Sequence, residues 1–210
     1  YLSPLAVVAD SAGKTLYVAQ STAGKVAVVD VASGKVTREI AVEGPLSGMA
    51  LSPEGDKLYV AQCVPAGRIR TIDVKTGKAA ASIRAGHCPA GIVVSPDGKR
   101  LYVCSQFNNA ITVIDLAAGS VEGRIPIKRE PIAAAITPDG KTLFVANHLP
   151  AGATDGDYAA AEVSIIDTES KKQVASLLLP NGSTALRDIT ISPDGKNAYV
   201  THILARYQLP

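Results

Sequence analysis

The sequence predicts an all-β fold built from one repeated unit of four short strands, and two markers with the same spacing support this. An aromatic residue follows a tight turn at each of Tyr17, Tyr59, Tyr102, Phe144 and Tyr199, in steps of 42, 43, 42 and 55 residues. An aspartate closes an apolar run in steps of 43, 42 and 52 residues, at Asp30, Asp73, Asp115 and Asp167. Repeats of this length are typical of four-stranded antiparallel blades, so the sequence predicts a β-propeller.

The third unit shows the four strands in order. Its first strand is predicted over Gly91–Val94, and the turn Ser95–Lys99 follows, because proline presets φ for a turn and glycine adopts positive φ without a steric cost. The second strand covers Leu101–Cys104 and the third Ile111–Ile114. After an Ala-Ala-Gly turn, the fourth strand covers Val121–Ile127.

Residue type also predicts where each strand lies in its blade. The second and third strands are nearly continuous β-branched runs, which indicates that neighbouring sheets cover both of their faces. The first strand carries small residues in Ala90–Gly91 and Ala133–Ala135, as a crowded position near the propeller axis requires. The fourth strand is predicted to be outermost and solvent-exposed, because it carries polar residues at Arg38–Glu39, Ser82 and Arg84, Glu122 and Arg124, and Lys171–Gln173.

The units add up to four full blades and the first half of a fifth, which ends at Thr201–His202. Residues 1–210 therefore form a single propeller domain that is apparently incomplete. Closed propellers have roughly four to eight blades, so we expect the chain to be part of a larger ring. The alternative is self-association, in which a second copy covers the open blade ends, since exposed sheet faces and edges bind other chains readily.

The composition indicates which classes of partner are not expected. The chain is 47% hydrophobic and 19% charged with a formal net charge of +2, and its longest basic run is Lys171–Lys172, so no nucleic-acid partner is expected. Aromatic residues make up 4% with no tryptophan, which leaves few stacking platforms for sugars or single strands. No apolar stretch reaches the length of a membrane span. The three cysteines match no zinc motif.

The repeat resembles the YVTN-type β-propeller repeats of bacterial and archaeal surface-layer and secreted proteins. The resemblance rests on Ser95–Val103, on Ile111–Asp115 and on the blade lead Gly86–Ile92. It implies a seven-bladed ring, an extracytoplasmic location and a binding or scaffolding role with an unknown protein or cell-surface partner. Similar propellers also occur joined to c-type haem domains or carrying d1 haem. This chain has no Cys-x-x-Cys-His, so it attaches no haem covalently, and no Trp-Asp dipeptide of WD40 repeats.

Propeller connectivity places the generic turns on one face, here called the lower face. The loops between second and third strands and the links between blades lie on the opposite, upper face, where the sequence varies. If the protein binds a ligand, we expect it there. The insertion at 149–161 maps to the same face, as do the candidate ligand-binding residues Gln62, His87, Gln106, Asn108, His148, Arg187 and His202.

Several residues that suggest chemistry also have a structural explanation. The repeated aspartates precede Gly-containing turns, so they are interpreted as caps of turn amides rather than as acid catalysts. The three histidines come from different blades, so hydrogen-bonded or surface histidines are favoured over a metal site. Asp155-Gly156-Asp157 with Glu162 resembles a calcium loop without its full motif, and loop solubility explains it better.

The cysteines divide into two groups. Cys104 occupies the small-residue position filled by Ala19, Ala61 and Ala146 in other blades, so it is predicted to pack in the core. Cys63 and Cys88 belong to upper-face loops of one blade, where either a disulfide or two free thiols fits the sequence.

No catalytic motif, metal site or cofactor is predicted from the residues. Two functions therefore stay open. One is a secreted or periplasmic binding and scaffolding propeller without catalysis. The other is the propeller portion of a periplasmic redox enzyme associated with a c-type haem domain.

Overall fold

A computed structural model describes residues 3–150, 152 and 158–204, and it confirms the predicted fold. Within these residues, eighteen strands form four four-stranded antiparallel sheets and one two-stranded sheet, which are the four and a half blades expected from the repeat. In the part of the chain that the structure describes, the one helical element is a single 3-10 turn at Gln106–Asn108. No helix in these ranges is long and apolar enough to span a membrane.

Within each full sheet the strands are hydrogen-bonded in chain order. Blade one contains β1 (Pro4–Ala9), β2 (Thr15–Gln20), β3 (Lys25–Asp30) and β4 (Lys35–Ala41). Blade two contains β5 (Leu46–Leu51), β6 (Lys57–Gln62), β7 (Gly67–Asp73) and β8 (Ala79–Gly86). Blade three contains β9 (Pro89–Val94), β10 (Arg100–Ser105), β11 (Ala110–Asp115) and β12 (Ser120–Pro126). Blade four contains β13 (Pro131–Ile136), β14 (Thr142–Asn147), β15 (Glu162–Asp167) and β16 (Lys172–Leu178), and the half blade contains β17 (Ser183–Ile191) and β18 (Ala198–Leu204).

The first strands of successive blades pack directly against one another, and glycine permits the close approach. A Cβ on Gly48 of β5 would lie 2.1 Å from the carbonyl oxygen of Ala90 in β9. A Cβ on Gly91 would lie 2.6 Å from the Cα of Ala133 in β13. Both glycines occupy the same position of their blades, so the small residues of the innermost strand set the spacing between blades.

The sheets bury both faces of their middle strands. In β10 and β11 five of six residues are buried, whereas β12 is mostly exposed, as predicted for the outermost strand. Leu101 of β10 packs with Tyr59 of blade two, and Tyr102 packs with Leu143 of blade four. Adjacent residues of one strand therefore belong to the cores on its two sides, which explains why the strand is apolar without alternation. Cys104 is fully buried, as predicted.

The structure confirms that the repeated aspartates cap turns. Asp30 accepts hydrogen bonds from the hydroxyl of Ser33 at 2.5 Å and from its backbone N–H at 2.8 Å, and Asp73 has the same partners in Thr76. Hydrogen bonds from the Ser33 and Thr76 hydroxyls lower the pKa of these two carboxyls. In blade three, Asp115 accepts from two successive backbone N–H groups. These side chains are satisfied within their own turns.

The lower-face turns between first and second strands share one geometry. In blade three, the Ser95 hydroxyl donates to Asp97 at 2.6 Å, the Lys99 backbone N–H donates to the same carboxylate at 3.1 Å, and Gly98 has a φ of 69°. The arrangement recurs at Thr137 with Asp139 in blade four. Local hydrogen bonds and a positive-φ glycine therefore define this turn.

An ion-pair network joins blades three and four across their outer strands. The Arg100 guanidinium contacts the Glu122 carboxylate of β12 at 2.8 Å, and Lys171 of blade four pairs with the same carboxylate. Hydrogen bonds from Arg100 and Lys171 lower the pKa of Glu122 from its ordinary 4.5 to about 2. The two blades are therefore linked by charge as well as by apolar packing.

The first and last strands leave apolar side chains uncovered. Leu5 and Val7 of β1 are 56% and 61% exposed, and Tyr199 of β18 is 59% exposed although its counterpart Tyr102 is buried. In the described ranges no further sheet lies against these outer faces. The first and last sheets therefore keep one apolar face available to another sheet.

The turn geometry predicts that Gly98→Val destabilises the protein. A β-branched residue is strained at positive φ, so we expect a loss of about 1–3 kcal/mol in the free energy of unfolding, measured by urea denaturation. The control is Gly123→Val in β12, because a Cβ there meets no atom within 4 Å and the backbone conformation is ordinary. Equal stability of the two variants would contradict the turn assignment.

Candidate functional site

The upper face carries the elements that differ from blade to blade. Its loops between second and third strands cover 21–24, 63–66 and 106–109, together with the longer connection in blade four. The segment Asp155-Gly156-Asp157, considered above for calcium, lies outside the described residues. Glu162, which was considered together with this segment for calcium, is 4% exposed and pairs with Lys128 at 3.2 Å. The negative charge of Glu162 is therefore already paired with a lysine of the link between blades three and four.

One group of candidate residues comes together at the border of blades two and three. The backbone N–H of His87 donates to the side-chain oxygen of Asn108 at 2.6 Å, and the His87 ring lies edge-on to Phe107 with centroids 5.2 Å apart. Gln106 reaches the next blade link and donates to Glu130 at 3.4 Å. These contacts join the link after blade two to the β10–β11 loop of blade three.

The same border contains a disulfide between Cys63 and Cys88. Cys63 follows β6 and Cys88 precedes β9, so the bond holds the β6–β7 loop against the link into blade three. Cys88 adopts a φ of 46° and its backbone N–H donates to the carbonyl of Val64 at 3.1 Å. The third cysteine, Cys104, is buried below this surface, and burial raises the pKa of its thiol.

Gln62 is the last residue of β6 in blade two, and its side-chain amide is hydrogen-bonded to other protein groups. Its nitrogen donates to the Glu43 carbonyl, and its oxygen accepts from Arg70 at 3.4 Å. Arg70 also pairs with the Glu43 carboxylate at 3.1 Å. These residues and Arg68 line a cavity of about 520 Å³ between blades one and two.

The remaining candidates lie apart from this group. The ring Nδ1 of His148 is 2.9 Å from the Leu186 carbonyl oxygen, so this histidine is hydrogen-bonded. Arg187 lines the central channel of about 460 Å³ between the first strands, and His202 is exposed on β18. The structure does not bring the three histidines together. Within residues 3–150, 152 and 158–204, no group of three or more His, Cys, Asp or Glu is placed to hold a metal ion.

A second inter-blade cavity, of about 470 Å³, lies between blades two and three. It is lined by His87 and Asn108 from the candidate group and by Arg84, Ala110 and Arg124. The sequence interpretation of Arg84 and Arg124 as solvent-facing residues of outer strands was incomplete. Both residues are exposed, but they also border a concave surface. Strand position alone identifies the outer edge of a blade and not the gap next to it.

Comparison with known proteins supports the fold and suggests enzymatic relatives. Residues 65–154 match a family model described as lactonase, 7-bladed β-propeller. A chain in the structure of hydrazine synthase from Kuenenia stuttgartiensis superposes with a TM-score of 0.88 at 32% sequence identity, covering 100% of this chain and 58% of that one. The present chain thus spans little more than half the length of that relative. No curated protein matches the sequence.

A more distant structure shows the fold alone. The β-propeller domain of Cps50 (Swd1) from Myceliophteria thermophila superposes with a TM-score of 0.74 at 17% identity, over 95% of this chain and 62% of that one. Together with the four-stranded antiparallel sheets, these matches establish the chain as a β-propeller protein.

The cysteine arrangement predicts that no cysteine is reactive in the native protein. In the native protein, iodoacetamide should modify none of the cysteines, because two are joined and Cys104 is buried. Non-reducing peptide mapping should recover a Cys63–Cys88 cross-link. Cys88→Ser should lower the free energy of unfolding by about 3 kcal/mol, since the bond spans 25 residues. Alkylation of Cys63 in the native protein before reduction would contradict the disulfide.

Proposed function

We propose that this chain belongs to a seven-bladed extracytoplasmic propeller of the YVTN type, which serves as a binding and scaffolding module through its upper-face loops. The observation that carries the proposal is the difference between the two faces. Lower-face turns repeat one geometry and satisfy their polar groups internally, whereas upper-face loops vary and border two inter-blade cavities.

The lower face offers little for selective recognition. Its carboxylates accept hydrogen bonds from their own turns, as Asp30, Asp97 and Asp167 show. The same backbone turn recurs in blade after blade, with a glycine N–H donating to the carbonyl three residues earlier. A ligand that recognises one place on the molecule needs a surface that is not repeated.

The upper face provides such a surface at the border of blades two and three. Phe107 is 54% exposed beside His87, and the Cys63–Cys88 disulfide fixes the loops around them. Loops held on a rigid scaffold are a common location for binding residues. Preorganisation of this kind lowers the entropy cost of binding.

Two features support the extracytoplasmic location and the larger ring. Disulfides form and persist mainly in oxidising compartments, which favours the periplasm or the cell surface for a protein with Cys63 joined to Cys88. The matched family model is described as 7-bladed, and the chain spans 58% of its hydrazine synthase relative. A longer protein would cover the exposed outer faces of β1 and β18 with further blades.

A second candidate function is the propeller portion of a redox enzyme associated with a c-type haem domain. The hydrazine synthase match favours an enzyme, since it reaches 32% identity over the whole of this chain, and the lactonase description of the family model also names an enzyme. Absorbance of the full-length protein, isolated from its own host, tests this candidate. A Soret band that copurifies with the protein supports it, and a colourless preparation contradicts it.

Site-specific photo-cross-linking tests the binding role of the upper face. A benzophenone amino acid replaces Phe107 on the upper face or Lys99 in a lower-face turn, where the lysine side chain is 80% exposed. In the full-length protein expressed in its own host, the label at Phe107 should form adducts with another molecule, detected as a mass increase. The label at Lys99 is the matched control. Adducts at Lys99 alone, or equal adducts at both positions, would contradict an upper-face binding surface.

A further inference from the structure

We infer that the cavity between blades two and three binds the oxyanion group of a small ligand, a carboxylate or a phosphate, with Arg124 as its main ligand-binding residue. The inference deepens the proposed upper-face binding role, because it assigns a ligand class to one cavity of that face. It rests on a comparison of equivalent positions in the four complete blades.

The residue five positions before the aspartate that ends the third strand lies at the upper end of each blade. In blade one this residue is Lys25, which pairs with Glu39 of the fourth strand at 2.6 Å. In blade four it is Glu162, which pairs with Lys128 at 3.2 Å. Blade two has a third long charged side chain, Arg68, at this position. Blade three has a small residue here, Ala110, which lines the cavity between blades two and three. The gap beside Arg68 is also a cavity, but its lining includes Glu43, whose carboxylate pairs with Arg70 at 3.1 Å.

The charge of the neighbouring residue on the fourth strand also differs between blades one and three. Glu39 is the fifth residue of β4, and the fifth residue of β12 is Arg124. Blade one therefore has an acidic residue at this position, Glu39, which pairs with a basic residue. Blade three has a basic residue, Arg124, at the same position. No described residue forms an ion pair or a side-chain hydrogen bond with Arg124.

Strand register shows that Arg124 belongs to the surface of blade three that faces blade two. Arg124 lies directly opposite Thr112 in the β11–β12 pairing, so the two side chains are on the same side of the sheet. The Thr112 hydroxyl is 3.5 Å from the carbonyl oxygen of Ala85 in blade two. The positive charge of Arg124 is therefore directed toward the gap between these blades.

The rest of the cavity lining is basic or uncharged. Arg84 and His87 come from blade two and the link that follows it, and no aspartate or glutamate among the described residues borders the cavity. Asn108 accepts the His87 backbone N–H with its side-chain oxygen, which leaves the amide N–H groups of Asn108 as donors. Arg84 likewise has no ion-pair partner among the residues that the structure describes.

This combination of groups selects an oxyanion. The planar guanidinium of arginine matches carboxylate and phosphate groups with two parallel hydrogen bonds, and an amide N–H adds a further donor. The volume of about 470 Å³ lies in the range of small-molecule pockets. The Cys63–Cys88 disulfide holds the β6–β7 loop that supplies Pro65 and Ala66 to the wall.

Calorimetric titration of the full-length protein with inorganic phosphate and with citrate tests the inference. We expect saturable binding of at least one probe, with a dissociation constant on the order of 1 mM or below. Arg124→Gln should weaken it at least tenfold, because it removes a charged hydrogen-bond donor. Lys172→Gln is the matched control: it removes one positive charge from an exposed outer-strand residue of blade four, and binding should be unchanged.

A second variant tests whether the small residue opens the site. Ala110→Glu should place a carboxylate within reach of Arg124, as in the Lys25–Glu39 pair, and abolish probe binding while the folded state is retained. Equal weakening by Arg124→Gln and Lys172→Gln would contradict the inference, as would no binding of either probe. If probe binding is absent while the label at Phe107 still forms adducts, the ligand class is wrong and the upper-face binding role stands.

Discussion

The close face-to-face packing of the blades is the constraint on which the rest of this structure depends. A four-stranded sheet of this size cannot bury its own faces, so each blade is stabilised by the blades on its two sides. The contact is tightest at the innermost strands, where Gly48 and Gly91 allow one backbone to approach the next. Farther out, β10 and β11 contribute alternate residues to two different cores.

This packing explains why the two faces of the molecule differ. A blade fits between its neighbours only if its strands keep their length and spacing, and the short lower-face turns with their aspartate caps maintain both. The upper-face loops connect the same strands and contribute few residues to the inter-blade cores, such as Ala161 in blade four. They therefore tolerate a disulfide in blade two, a 3-10 turn in blade three and a long connection in blade four. Sequence variation is concentrated where it does not disturb the packing.

The inter-blade gap at the upper face contains both the edge of the blade packing and the proposed binding site. Beside blade four, Glu162 pairs with Lys128, whereas Arg68 and Ala110 line cavities beside blades two and three. The charges that line the border of two blades therefore differ from one border to the next. In a repeat protein, a site can arise in this way without any change in the fold.

The fold could be predicted from the sequence because its determinants are local and repeated. The markers at Tyr102 and Asp115 identify the blades, and Cys104 was placed in the core by comparison with the other units. The cavity could not be predicted, because it depends on which side chains of one blade lie across from Arg124 of the next. The choice between a disulfide and free thiols for Cys63 and Cys88 likewise required the spatial path of two loops.

Native-state hydrogen exchange of the full-length protein, resolved to single strands, tests the central claim most directly. Blade packing predicts that the amides of β10 and β11, which lie between two neighbouring sheets, exchange only through global unfolding. The amides of β12 should exchange faster through local opening, since this strand is the exposed outer edge of the blade. Exchange from β10 and β11 that is as fast as from β12 would contradict the account, because these strands would then not be held between neighbouring blades.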